Sequence, residues 1–262
     1  MIIVTWNINS VRLRLDLLQK LVDEKTPDVI CLQETKVRDE HFPIEEIKDL
    51  GFNYLVYTGE KSYNGVAILS KYKISDSFSL KFYNGDKRHI CAKIHDFELH
   101  NFYVPAGGDE PDTLINPKYK HKLAYVEEME QWFAYNRLKS DKLILVGDLN
   151  IAPLEHDVWS SKQLTNVISH TPLERTALIK LQNSFDFVDT ARKFVDPSQK
   201  FYSWWSYRNR DWKKSDRGRR LDHIWVSRPL ESRLKNIVSY KEARAWDRPS
   251  DHVPCIIDIE SS

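Results

Sequence analysis

A chain of 262 residues with 41% hydrophobic side chains can bury one large layered core, and no apolar stretch in it is long enough to span a bilayer. Its three cysteines are odd in number, lack metal-ligand spacing and lie in apolar runs, which argues against a disulfide framework or a cysteine zinc site and predicts free thiols in a reducing, cytoplasmic setting. A net charge of +1 decides nothing about nucleic acid, because binding needs a basic face and not a basic total.

The chain starts on Ile2-Ile3-Val4-Thr5-Trp6, an apolar run that reads as a strand ending in Asn7, with no basic segment of a secretion signal before it. Leu13, Leu17, Leu18, Leu21 and Val22 recur at helical spacing as far as Pro27, predicting a helix that leads to a second strand ending in Gln33 and Glu34. A shorter helix is predicted from Ile44 to Gly51, then strands over 65–70, 90–94 and 97–104, the last two joined by a tight turn at Asp96. A long helix from Tyr119 turns Leu123, Val126, Met129, Trp132 and Phe133 inward and leads to the apolar run Leu143-Ile144-Leu145-Val146, which breaks off in Gly147-Asp148-Leu149-Asn150. Thr171-Pro172-Leu173-Glu174 has the form of a capping box with proline at the first helical position, predicting a helix through Leu178 and Leu181. Asp222 stands before His223-Ile224-Trp225, and Ser250-Asp251-His252 opens a last apolar run over 253–257.

No low-complexity linker or short repeat divides the chain, so residues 1–262 are expected to form a single domain. The apolar strands read as buried on both faces, which predicts a four-layer α/β sandwich: two mainly antiparallel mixed sheets packed face to face, with helices on their outer faces.

Asn7, Glu34, Asp148, Asn150, Asp222, Asp251 and His252 all stand at strand ends, where sheets carry their sites. Glu34 with Asn7 offers hard oxygen donors suited to Mg²⁺ completed by water and phosphate. Asp148 can orient or deprotonate a water, held by Asn7 or Asn150, and His252 kept cationic by Asp222 can donate to a phosphoryl oxygen. Together these supply what phosphodiester hydrolysis by direct attack of water needs. From Lys200 to Arg220, eight basic residues, Arg208 among them, interleave with Phe201, Tyr202, Trp204, Trp205, Tyr207 and Trp212, a composition suited to gripping phosphates and stacking on bases or sugars.

Thr5-Trp6-Asn7-Ile8-Asn9, Leu32-Gln33-Glu34-Thr35-Lys36, Tyr63-Asn64-Gly65, Tyr103-Val104-Pro105, Gly147-Asp148-Leu149-Asn150, Phe201-Tyr202-Ser203-Trp204-Trp205, Gly218-Arg219-Arg220-Leu221-Asp222 and Ser250-Asp251-His252 resemble, in order, the motifs of the exonuclease III branch of the exonuclease–endonuclease–phosphatase superfamily. The resemblance implies a base-excision-repair enzyme: an apurinic/apyrimidinic endonuclease with 3′→5′ exonuclease and 3′-phosphatase or phosphodiesterase activity. It implies action on duplex DNA with abasic sites or blocked or recessed 3′ ends, as a monomer dependent on Mg²⁺ or Mn²⁺. By the matching motifs, Glu34 carries the metal with Asn7 and Asp251 nearby. Asp148 positions or activates water, Asn150 and Tyr103 contact the scissile phosphate, and Asp222 with His252 supports the transition state. Trp204 lies beside a flipped-out sugar, and Arg12 and Tyr63 match positions that grip the DNA backbone.

Two positions depart from the pattern: Ala106 stands where relatives commonly carry Asn or Gln, and Arg219 where many carry Trp or Leu. His170, just outside a predicted helix N-terminus, is expected either to meet a backbone phosphate or to crowd a continuous strand and bias the enzyme towards 3′ ends. The alternatives are a 3′-end-specific exonuclease or phosphatase with little abasic-site incision, a lipid or inositol phosphate phosphodiesterase of the same superfamily, and a catalytically dead DNA-binding module.

Overall fold

The computed structural model describes residues 1–83 and 85–261. Its twelve described strands form two six-stranded sheets. The first runs in the order β11 (Leu234–Ser239), β12 (Cys255–Ile259), β1 (Ile2–Asn7), β2 (Val29–Gln33), β4 (Tyr63–Ser70), β3 (Tyr54–Glu60). The second runs β5 (Ile74–Phe78), β6 (His89–Ile94), β7 (Phe97–Tyr103), β8 (Leu143–Asp148), β10 (Asp222–Val226), β9 (Val188–Asp189). Each sheet contains one parallel pair, β1 with β2 and β7 with β8, and is otherwise antiparallel. A parallel pair needs a crossover, and the helices α1 (Leu15–Lys25) and α3 (Pro117–Asn136) supply the two. Between them in the chain lies the short α2 (Ile44–Asp49).

Alternate residues of each inner strand go to opposite layers, which is why the sequence shows unbroken apolar runs. Ile3, Val66, Ile68, Leu99, Ile144, Val146 and Ile257 meet between the sheets. On the outer face of the first sheet, Val4, Ile30 and Leu32 pack against Leu18 and Leu21 of α1. On the outer face of the second, Phe102, Leu145 and Trp225 pack against Val126, Met129 and Phe133 of α3 and Leu178 and Leu181 of a further helix, 172–184. The result is the expected four-layer sandwich.

The differences from expectation are local. β3, β5, β9 and β11, which the sequence pattern does not single out, are the four sheet edges. Edge strands are half solvated and need no alternation, as Ile74-Ser75-Asp76-Ser77-Phe78 illustrates. The long helix starts at Pro117, earlier than Tyr119, because Asn116 caps it by accepting from the backbone N–H groups of Lys118 and Tyr119. Its inward face carries Tyr119, Lys122 and Tyr125 as fully as Met129 and Phe133. The Thr171 capping box forms as predicted, with Thr171 and Glu174 each accepting from the other's backbone N–H.

Candidate active site

One end of the sandwich collects the polar strand termini, because β1, β2, β7 and β8 finish there while the antiparallel β10 and β12 begin there. In register, Tyr103 lies beside Asp148 and Asp148 beside Asp222. Gly147 makes that approach feasible: at φ +142 a β-carbon would sit 1.9 Å from the Phe102 carbonyl oxygen, so no other residue lets β8 close on β7 immediately before Asp148. Just past their strands, Glu34 at φ 51 and Asn150 at φ 53 adopt the left-handed conformation, an uncommon backbone that clusters at functional sites.

The side chains form one connected array. The Asn7 amide donates to Glu34 Oε1 at 3.0 Å and to Asp148 Oδ2 at 2.8 Å, and the Tyr103 hydroxyl donates to Glu34 Oε1 at 2.7 Å. Burial works to raise the Glu34 pKa, but Lys36, Asn7 and Tyr103 outweigh it and hold the carboxyl below its ordinary value. The Lys36 ammonium sits 2.6 Å from Glu34 Oε2. Burial and the neighbouring Glu34 and Asp148 push the Tyr103 phenol well up, so it stays a proton donor.

Asp148 accepts the Asn150 backbone N–H at 2.9 Å and its side-chain amide at 3.2 Å, and that amide also donates to the Val104 carbonyl at 2.9 Å. On the far side, His252 Nδ1 lies 2.8 Å from Asp222 Oδ2 and its Nε2 lies 3.6 Å from Asp148 Oδ2. Burial opposes charge on His252, yet Asp222 and Asp148 outweigh it and lift the imidazole to about 10. Burial raises the Asp148 carboxyl to about 7, with the cationic His252 opposing. A buried cation therefore stands between two acids, with Nδ1–H fixed by Asp222. Ser203 Oγ accepts the Asp222 backbone N–H at 3.0 Å, and Ser250 Oγ donates to the Asn7 carbonyl at 2.7 Å, locking both strand ends.

These groups open into a cleft of about 820 Å³ lined by Glu34, Tyr103, Asp148, Asn150, Asp251 and His252, with Trp204, Trp159, Arg208, Arg217 and Arg219 on its walls. The residues fit a metal by donor chemistry: the carboxylates of Glu34 and Asp251 line the cleft as hard oxygen donors, and the buried Asn7 amide adjoins them, its N–H bonded to Glu34. Asp251 is steered by Trp204, whose indole N–H donates to Oδ2 at 3.0 Å.

The duplex-facing expectations divide. Arg12 is exposed beside Lys36, Arg38, His41 and Lys61, and Tyr63 is exposed with its hydroxyl accepting from Arg88 at 3.0 Å. Arg208 is exposed on the cleft wall. The aromatic-basic segment is only partly a surface: Phe201, Tyr202 and Trp205 are core, and Arg220 is buried in ion pairs with Asp157 and Asp189. His170 needs correction. It does precede the capped helix, but its ring is fully buried, Nδ1 on the Ala152 carbonyl at 2.6 Å and Nε2 on Ser161 Oγ at 2.8 Å, so it neither meets a phosphate nor crowds a strand. Loop 150–170 folds back on itself and takes the imidazole as an internal brace.

Four residues that support the site escape the sequence reading. Lys36 and Asn9 hold Glu34 and Asn7 through bonds of 2.6 Å between themselves and 3.1 Å to the Asn7 amide oxygen. Arg88 donates to the Tyr63 hydroxyl and the Tyr103 carbonyl and lies over the Tyr103 ring at 4.7 Å. Lys122, fully buried, pairs with Glu174 and donates to the Asn150 carbonyl at 2.8 Å. A lysine at helical spacing among Tyr119, Val126 and Met129 is the signal in the sequence that could have found it.

The endonuclease/exonuclease/phosphatase family matches residues 4–252. The chain belongs to that family. An exodeoxyribonuclease III from Haemophilus influenzae is 31% identical over 96% of this chain and 97% of that protein. Among solved structures, an AP endonuclease from Archaeoglobus fulgidus superposes with a TM-score of 0.93 at 32% identity, all of both chains being covered. A 3′ phosphatase from Neisseria bound to a product DNA hairpin does so with 0.91 at 31% identity, again over both whole chains. The chain is thus a metal-dependent phosphodiester hydrolase of the endonuclease/exonuclease/phosphatase family.

Proposed function

We propose that residues 1–262 act as one monomeric catalytic domain, a Mg²⁺-dependent DNA phosphodiesterase of base excision repair that incises at abasic sites and trims 3′ ends on duplex DNA. Mn²⁺ would serve the same donors. The observation that carries it is the single array running from Glu34 through Asn7 and Asp148 to His252 and Asp222 on the floor of an open cleft. The family match and the DNA-acting relatives support the substrate class.

In this reading Glu34, Asn7 and Asp251 hold the cation, which when bound neutralises phosphate charge in a site otherwise rich in carboxylates. Asp148, aligned by Asn7 and Asn150, takes a proton from the attacking water. His252, its Nδ1–H tied to Asp222, offers Nε2–H towards a phosphoryl oxygen, and Asn150 and Tyr103 donate to the same phosphate as its charge builds. Trp204 takes the sugar side of the substrate, while Arg12, Tyr63 and Arg208 grip the backbone. Duplexes carrying one tetrahydrofuran abasic analogue and duplexes with a recessed 3′ end test the reading together. Cleavage that requires Mg²⁺ and vanishes in folded Glu34→Gln supports it, and cleavage that persists in that variant at saturating Mg²⁺ refutes it.

A further inference from the structure

Arg208, Arg217 and Arg219 line the cleft without an ion pair among the described residues, and of the three Arg219 has its guanidinium held by hydrogen bonds. Its backbone pairs with Trp204 in both directions, N–H to carbonyl at 3.0 Å each way, so the two side chains emerge side by side. The guanidinium carbon lies 5.2 Å from the centre of the Trp204 ring. Nη1 donates to the Ile168 carbonyl at 3.1 Å and to Ser169 Oγ at 2.7 Å, which fixes the plane of the fork. Among the described residues Arg219 forms no ion pair, its buried Nε has no acceptor, and no bond occupies Nη2. Glu174, the buried acid whose charge acts on Arg219, is already neutralised by Lys122. Two cations therefore share one carboxylate, and the surplus charge belongs to the residue that lines the cleft.

A guanidinium set over an aromatic ring, oriented by two neutral acceptors and left without a counter-ion, is organised for a carboxylate or phosphate. We propose that Arg219 determines specificity: it selects substrates whose scissile phosphate carries a further anionic group over those in which it carries an uncharged sugar. The inference rests on the reading given under Proposed function. In such a substrate water adds to phosphorus, the bond from phosphorus to the 3′ oxygen breaks, that oxygen takes up a proton, and the remnant leaves as a phosphomonoester with its second anionic group at the Trp204–Arg219 wall.

The test compares kcat/KM on two duplexes that differ in the group beyond the phosphate, a 3′-phosphoglycolate end and an internal tetrahydrofuran site, in wild type, Arg219→Gln and Arg219→Lys. Gln keeps a donor for Ile168 and Ser169 but removes the charge. The expected result is that the glycolate-to-tetrahydrofuran ratio falls by about tenfold or more in Arg219→Gln and recovers in part in Arg219→Lys. The wild-type ratio should also decline with added KCl, and the Gln ratio should not. Equal losses on both substrates, leaving the ratio and its salt response as in wild type, would mean that Arg219 only braces the loop at Ile168 and would overturn the proposal alone. Failure of the wild type to cleave either duplex would overturn the functional reading and this inference with it.

Discussion

His252 has Asp222 on one ring nitrogen and Asp148 facing the other, so its charge and its orientation come from the same two contacts. Replacing it with Asn removes the proton and the charge together. The expected outcome is a fall in kcat of about two to four orders of magnitude, with duplex affinity in Ca²⁺ largely retained. Single-turnover rates and anisotropy binding measured on one preparation check both halves. Asp222 Oδ1 is buried without a partner, so Asp222 already bears a desolvation cost that only the bond to His252 offsets. Asp222→Asn should therefore slow turnover nearly as much as His252→Asn, and the double variant should be little worse than either, a coupling that rate measurements on all three read directly. A double variant slower by the product of the single losses would mean the two act separately.

The helix 172–184 owes its start to a cap that also supports the site. Glu174 accepts from the backbone N–H of Ser169 at 2.9 Å and of Thr171 at 3.0 Å, and from Lys122 of the long helix, which in turn holds the carbonyls of Asn150 and Ala106. A buried acid that loses its cation is left uncompensated, so Lys122→Met should cost about 3 kcal/mol or more in urea unfolding. Lys122→Met with Glu174→Gln should recover most of that loss, because neither side then carries a buried charge. By contrast Thr171→Ala, which removes only the cap oxygen, should cost about 1 kcal/mol. The basic segment makes a different contribution: exposed Lys213 and Lys214 with Arg208 form its solvent side, and reversing all three should weaken duplex binding and flatten its dependence on salt. An unchanged slope would leave these side chains as solvated surface.

Three buried histidines outside the cleft, His89, His100 and His223, make the fold sensitive to acid. Burial drives His89 well below its ordinary value, lowers His100, and brings His223 to about 4. Their bonds show the cause: Leu80 N–H donates to His89 Nδ1 at 2.9 Å, which leaves His89 Nε2 to donate to His100 Nδ1 at 3.1 Å, so neither ring has room for a further proton in the fold. The unfolded chain takes those protons up near pH 6.5 and the folded one does not. The stability these three histidines contribute is thus full above about pH 6.5 and falls as pH drops towards 4, His223 alone accounting for about 3 kcal/mol across that window. Urea unfolding at pH 7 and pH 5 should show the loss, and His223→Gln, which keeps a donor for the Ile151 carbonyl, should show less of it. A change in stability between the two pH values that is the same in His223→Gln as in wild type would sink this account.

Strand interiors and their polar ends were legible because burial on both faces leaves an unmistakable mark: an apolar run such as Leu143-Ile144-Leu145-Val146 that stops in Gly-Asp-x-Asn is a buried strand delivering polar groups to its end. The capping box at Thr171 was legible for the same local reason, since its bonds join residues three apart. Local pattern could say that Asn7, Glu34, Asp148, Asp222 and His252 end or open strands. The motif order could say which family they match. That they share one end of one cleft follows from strand direction and register, which bring residues 141 positions apart to 2.8 Å. Burial of His170 and the charge surplus at Arg219 were out of reach for the same cause: both depend on partners, Ser161 and Ala152 for one, Trp204, Ile168 and Ser169 for the other, that only the closed fold supplies. Side-chain character is written along the chain, whereas exposure and pairing are properties of packing, and at those two residues packing decided which one faces the cleft.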